Sequence, residues 1–107
     1  MFAITKSGRE SVLYTFGVGG SGDGADPGAG LINVKGTLYG TTVYGGGELN
    51  GTVFAITKTG TEAIPHSFRG SGDGANPDAG LVNINGTLYG TTFNGGNGEG
   101  TVFSLRL

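Results

Sequence analysis

Gly36-Thr-Leu-Tyr-Gly-Thr-Thr42 runs on to Gly45-Gly46, and the same run returns as Gly86-Thr-Leu-Tyr-Gly-Thr-Thr92 before Gly95-Gly96. A small, β-branched and aromatic run closed by a glycine pair reads as a strand and its terminating turn. Working outward, residues 20–46 and 70–96 are identical at 20 of 27 positions at an offset of 50. Upstream, Phe2-Ala-Ile-Thr-Lys6 matches Phe54-Ala-Ile-Thr-Lys58 at an offset of 52, and downstream Gly51-Thr-Val-Phe54 matches Gly100-Thr-Val-Phe103 at 49. The length changes fall in glycine-rich turns and spare the apolar runs, where a fold tolerates them. The chain is therefore a tandem duplication, with copies of approximately 2–53 and 54–103 and residues 104–107 as a terminal strand extension, within one unit spanning 1–107.

Between these anchors the pattern is all-β. Phe2-Ala-Ile-Thr5 and Glu10 to Phe16 read as a hairpin around Ser7-Gly8, and the glycine-rich stretch 17–30 as a long connection with turn signals at Asp23-Gly24 and Asp26-Pro27. Leu31-Ile-Asn-Val34 and Thr37 to Tyr44 follow as strands, then Thr52 to Thr57 after the glycine break. In the second copy Asn85-Gly86 is the favoured two-residue hairpin turn between Leu81-Val-Asn-Ile84 and Thr87 to Phe93. Helix-period patterning and helix caps are missing. Four strands per period of about 50 residues is the spacing of a propeller blade. The expectation is two four-stranded β-propeller blades per chain. Two blades cannot close a ring, so either copies of the chain assemble into a homo-oligomer that completes it, three for six blades or four for eight, or the chain is a fragment of a longer tandem array; the homo-oligomer is the favoured expectation.

Composition narrows the function. Charged residues make up 13% of the chain and the net charge is -2, with Lys6, Arg9, Lys35, Lys58, Arg69 and Arg106 scattered singly. No basic cluster is present to neutralise phosphates, which argues against nucleic acid as a partner. No stretch of about 18 apolar residues would insert into a membrane, and the N-terminus lacks a signal-peptide apolar region. Glycine is abundant, at 25 residues, but follows no triplet period. With no cysteine and one histidine, disulfides are excluded and a zinc site has almost no ligands.

The blocks Gly-Thr-Leu-Tyr-Gly-Thr-Thr, Gly-Gly and Gly-Thr-Val-Phe, with Asp23-Gly-Ala-Asp-Pro-Gly-Ala-Gly-Leu31 and its copy Asp73-Gly-Ala-Asn-Pro-Asp-Ala-Gly-Leu81, resemble the GloVer-type tandem repeat of bacterial surface or secreted proteins. The resemblance covers essentially the whole chain. It implies long tandem arrays, often with a C-terminal anchoring segment, an extracellular or cell-surface location for the parent protein, and no assigned catalytic residues. More loosely, the glycine pair after an aromatic-bearing second strand is similar to a kelch blade, with Phe16 and Phe68 in the general place of the kelch tryptophan.

Four sets of residues are candidates for chemistry. Asp23 and Asp26, with Asp73, Asn76 and Asp78, offer oxygen ligands for calcium on a flexible loop, though not at EF-hand spacing; capping of glycine-rich turns by the same side chains is the favoured reading. His66 stands beside Ser67, but its counterpart is Tyr14, which is weak support for a nucleophilic triad. Tyr39 and Tyr89 alternate with Leu38 and Leu88, so the two residue types face opposite sides of the strand. Repeated once per blade, Tyr39 and Tyr89 with Thr41 and Thr91 would stack on and hydrogen-bond a sugar, against the favoured reading of packing between blades. Asn50-Gly-Thr52 and Asn85-Gly-Thr87 fit a glycosylation pattern that their turn role already explains. The sequence therefore predicts a non-enzymatic β-propeller repeat module, structural or surface-binding, with a glycan-binding propeller as the alternative and no cofactor required.

Overall fold

The computed structural model describes residues 2–4, 10–12, 14–16, 23–70, 73–96 and 98–107. The turn expected at Ser7-Gly8 and the stretch 17–22 of the long connection lie outside the described residues. Among the described residues there is no α-helix, and no helix is long and apolar enough to cross a membrane.

Twelve strands follow in chain order. They are β1 (Phe2–Ile4), β2 (Glu10–Val12), β3 (Gly24–Ala25), β4 (Ile32–Val34), β5 (Thr37–Thr42), β6 (Tyr44–Gly45), β7 (Thr52–Ile56), β8 (Glu62–Ser67), β9 (Ala75–Pro77), β10 (Val82–Ile84), β11 (Thr87–Asn94) and β12 (Thr101–Arg106). β1 pairs with β2. The first full repeat is an antiparallel meander, β4-β5-β7-β8, and the second is β10-β11-β12, with β9 pairing the far end of β11. The fold is all-β, in several separate sheets.

The hairpin turn expected at Asn85-Gly86 is present, and the first copy has the same turn. Asn85 (φ 52°) and Gly86 (φ 88°) take the two left-handed positions of a two-residue turn, as do Lys35 (φ 53°) and Gly36 (φ 90°) in the first copy. Asn33 and Asn83 side chains brace these turns by accepting from the N–H of Gly36 and Gly86, at 2.9 and 3.1 Å. On β8, Ile64 and Pro65 together stand opposite Phe54, where the register slips. A bulge on an outer strand is a place where proline, lacking an N–H, costs no ladder bond.

The glycine-rich connection is more ordered than its composition predicts. Gly24–Ala25 pairs with Tyr44–Gly45, and Ala75–Pro77 pairs with β11. The close approach needs glycine: a Cβ on Gly45 would lie 2.6 Å from the Asp23 carbonyl. In return the Gly46 N–H donates to that carbonyl at 2.8 Å.

Strand alternation gives each sheet two faces. Leu38, Gly40, Thr42, Phe54 and Ile56 share one face of the first sheet, and Ile32, Val34, Tyr39, Thr41 and Val53 share the other. Leu81 and Leu88 of the second sheet pack on the latter face, so the core lies between the two repeats, around Val53, Phe68, Leu81 and Leu88. Aromatic rings step across each junction edge to face: Phe16 meets Phe54 at 5.0 Å, and Phe68 meets Phe103 at 5.1 Å. The packing repeat is out of phase with the sequence repeat, because the boundary between residues 53 and 54 falls inside β7.

Candidate functional site

Two places gather polar side chains: the turn before each sheet, and the Tyr/Thr face. At the first turn Asp23 accepts from the Gly24 N–H at 2.9 Å and from the Tyr14 hydroxyl at 2.9 Å. At the second, Asp73 accepts from the Arg69 N–H at 3.0 Å, and its other partner is the His66 ring, Nε2 at 3.1 Å. Both aspartates are thus committed to turn capping. Asp26 is exposed at φ 58°; Asn76, its counterpart, has the same φ. The Asn76 amide donates to the Val43 carbonyl at 2.9 Å and so ties the second turn to the first repeat. Asp78 lines a depression of about 240 Å³ between the repeats, together with Tyr44 and Phe93. The structure does not bring Asp23, Asp26, Asp73 and Asp78 into one place, and among the described residues no group of three or more His, Cys, Asp or Glu could hold a metal ion.

Sequence reasoning missed a further acid. Glu62, at the start of β8, lies against the Tyr14 hydroxyl and the Asp23 carboxylate, and its Oε2 is buried without a hydrogen-bond partner. Burial pushes the Glu62 carboxyl up to about 7; a hydrogen bond from Tyr14 opposes this, while the hydrogen bond and negative charge of Asp23 reinforce it. Burial, and then the two carboxyl groups, hold the Tyr14 phenol well above its ordinary value. No sequence pattern marks Glu62, because its partners belong to the preceding repeat.

His66 and Asp73 line a shallow depression of about 640 Å³ with Glu48, Ser67 and Arg69. The Ser67 hydroxyl accepts from the Gly47 N–H at 2.9 Å, and adjacent residues of a strand point to opposite sides. His66 and Ser67 therefore do not form a nucleophile and base pair. The His66 ring instead packs edge to face on Phe68 at 4.7 Å, as Tyr14 packs on Phe16 at 5.2 Å.

On the second candidate surface, Tyr39 and Thr41 lie on one face of the first sheet, and Tyr89 and Thr91 hold the same register on the second. Tyr39 is half-buried against the core and Thr41 is fully buried, its hydroxyl 3.4 Å from the Ala79 carbonyl. Tyr89 and Thr91 are exposed. The neighbouring threonines form a buried relay instead. Thr42 donates to the Tyr44 carbonyl at 2.9 Å and accepts from the Thr52 N–H at 3.1 Å, so the 2.7 Å contact between the two hydroxyls has Thr52 as donor. Thr92, Asn94 and Thr101 repeat the arrangement.

These paired geometries recur in both repeats among the described residues, and the Gloeobacter/Verrucomicrobia repeat matches residues 1–107. The chain belongs to this repeat family. No curated protein and no solved structure matches it. As a GloVer repeat, its recurring glycines, threonines and phenylalanines have roles in this structure that account for their recurrence. Gly40 and Gly90 make room for the Phe54 and Phe103 rings, the threonines bridge strands, and Phe16 and Phe68 span junctions.

Proposed function

We propose that this chain is a non-catalytic structural module of a bacterial surface or secreted protein, in which successive GloVer sheets pack face to face as β-propeller blades and further units complete the ring. One observation carries the reading. The only histidine, paired with Asp73 at 3.1 Å, has a tyrosine paired with Asp23 at 2.9 Å in the equivalent place. A position that accepts either a phenol or an imidazole, each stacked on the phenylalanine two residues on, serves packing and turn capping rather than acid–base chemistry.

The test is substitution of His66→Tyr, which makes the second junction a copy of the first. The variant is screened beside the wild type on a glycan array and on a panel of ester, glycoside and peptide substrates. The expected result is no turnover by either protein. A turnover present in the wild type and lost in the variant would overturn the reading. Saturable glycan binding that is lost in Tyr39→Ala plus Tyr89→Ala would favour the lectin-like alternative.

A further inference from the structure

The two repeats present the same apolar face in opposite situations. In the first, Ile32, Val34, Tyr39 and Val53 are covered by the second sheet, and Val53 is 0% exposed. In the second, the equivalent Val82, Ile84, Tyr89 and Val102 are uncovered, and Val102 is 79% exposed. The opposite faces differ in the complementary way at Leu31 and Leu38, while Phe54 and Ile56 on the same face of the first sheet are each 1% exposed. Leu81 is 8% exposed beneath the first sheet, whereas its counterpart Leu31 is 43% exposed, and Leu38 is less covered than the fully buried Leu88.

The geometry points to a head-to-tail contact between two copies of this chain, in which the Val82, Ile84, Tyr89 and Val102 face of one covers Leu31 and Leu38 of the other. This rests on reading the sheets as stacking structural units, and it names the surface and its occupant. The template is the junction inside the chain, where homologous residues already meet in this arrangement. A sequence that buries this face once has the matching shape and chemistry to bury it again.

The contact carries a consequence for strand pairing. Phe2-Ala-Ile4 duplicates Phe54-Ala-Ile56, and β12 is the third occurrence of the same position. When the second sheet of one copy stands over Leu31 of another, its β12 occupies the place of that copy's β1. It then pairs with β2 there, as β7 pairs with β8, which sets Ser104 opposite Ser11 where Ala3 now stands.

The interface is heterologous, so its two halves can be disabled separately. Sedimentation velocity on the full chain, from micromolar to near-millimolar, should show self-association. Val102→Asp and Leu31→Asp should each weaken it by more than about 100-fold, the effect of an uncompensated carboxylate in a buried contact. Mixing the two variants should restore a one-to-one complex, because each retains the half that the other lacks. A wild type that stays monomeric, a Val102→Asp protein that associates normally, or a mixture that remains monomeric would each overturn the proposal. Because the chain has no cysteine, Ser11→Cys plus Ser104→Cys gives a check that does not depend on charge in the interface. On oxidation the double variant should form disulfide-linked multimers on a non-reducing gel, and only monomers would refute the strand pairing. None of these outcomes depends on His66, so a failure here is distinct from a failure of the structural reading.

Discussion

Replacing Gly40 or Gly90 with alanine should destabilise the fold, although alanine is ordinarily the better residue in regular structure. A Cβ at Gly40 would lie 2.7 Å from Cζ of Phe54 and 2.9 Å from Cδ2 of Leu31; at Gly90 it would lie 2.7 Å from Cζ of Phe103 and 2.9 Å from Cδ2 of Leu81. Neither ring is free to swing aside, since Phe54 is held edge-on by Phe16 and Phe103 by Phe68. Overpacking of this kind costs about 1–3 kcal/mol. The loss of unfolded-state freedom on going from glycine to alanine offsets about 0.4–1 kcal/mol of that. The net loss is up to about 2.6 kcal/mol, and its mid-range value of about 1.3 kcal/mol corresponds to a fall in Tm of about 5–10 °C for a domain of this size. Gly90→Ala should be the more damaging, because Leu81 is buried and Leu31 is exposed enough to give way. Gly30→Ala and Gly80→Ala are the controls. A Cβ at either meets nothing within 4 Å, and neither has a left-handed φ, so these variants should match or slightly exceed the wild type. The measurement is thermal unfolding followed by circular dichroism. If Gly40→Ala and Gly90→Ala melt with the wild type, or the controls fall as far, the account of these glycines is wrong.

The remaining predictions concern charge, the threonine relay and the hairpin turn. The folded pKa of Glu62, about 7, is raised above its unfolded value of 4.5, so the stabilisation it brings is complete below about pH 4.5 and is lost as pH rises through 7. Over that interval the shift is worth at most about 3 kcal/mol, and solvent screening at a partly exposed group brings this to roughly 1 kcal/mol. Denaturant unfolding at a series of pH values should therefore show stability declining from pH 5 to 8, and Glu62→Gln should flatten that decline; an equal slope in the variant would remove Glu62 as its source. Thr42→Val should lose about 1–3 kcal/mol, since the Thr52 N–H and the Tyr44 carbonyl lose their partner in a dry site; a stability unchanged in the same unfolding assay would show that the relay is dispensable. Asn85→Ala should cost about 1 kcal/mol at its φ of 52°, whereas Asn85→Gly should be nearly neutral, and equal melting temperatures for the two would argue against the turn assignment.

Much of this architecture is legible in the residues, where local chemistry suffices. Asn85-Gly86 dictates its turn because few other pairs accept two left-handed positions, and Thr87 to Phe93 alternates as a strand must. The capping role of Asp23 and Asp73 follows from an aspartate set before glycine. What escaped the sequence depends on neighbours. Tyr39 and Tyr89 sit in identical heptapeptides, yet one is half-buried and the other exposed, because burial is conferred by the next sheet and not by the strand itself. The β3–β6 ribbon escaped because its strands are two residues long and rich in glycine, so no alternation announces them. Glu62 escaped for the same reason as Tyr39: its partners, Tyr14 and Asp23, stand 48 and 39 residues earlier, across a junction.

The Phe16–Phe54 and Phe68–Phe103 contacts bear on how such a protein is cut and grown. Each ring that completes a sheet's core is delivered by the residues just ahead of that sheet, so a cut at the border between residues 53 and 54 parts Phe16 from Phe54, although it leaves Phe68 with Phe103. Trimming or grafting is least disruptive at glycine-rich tips such as Thr59-Gly60, beyond the strands and away from both rings. A duplication beginning at any phase regenerates the same interior junctions, so an array of these units can lengthen without its breakpoints being chosen.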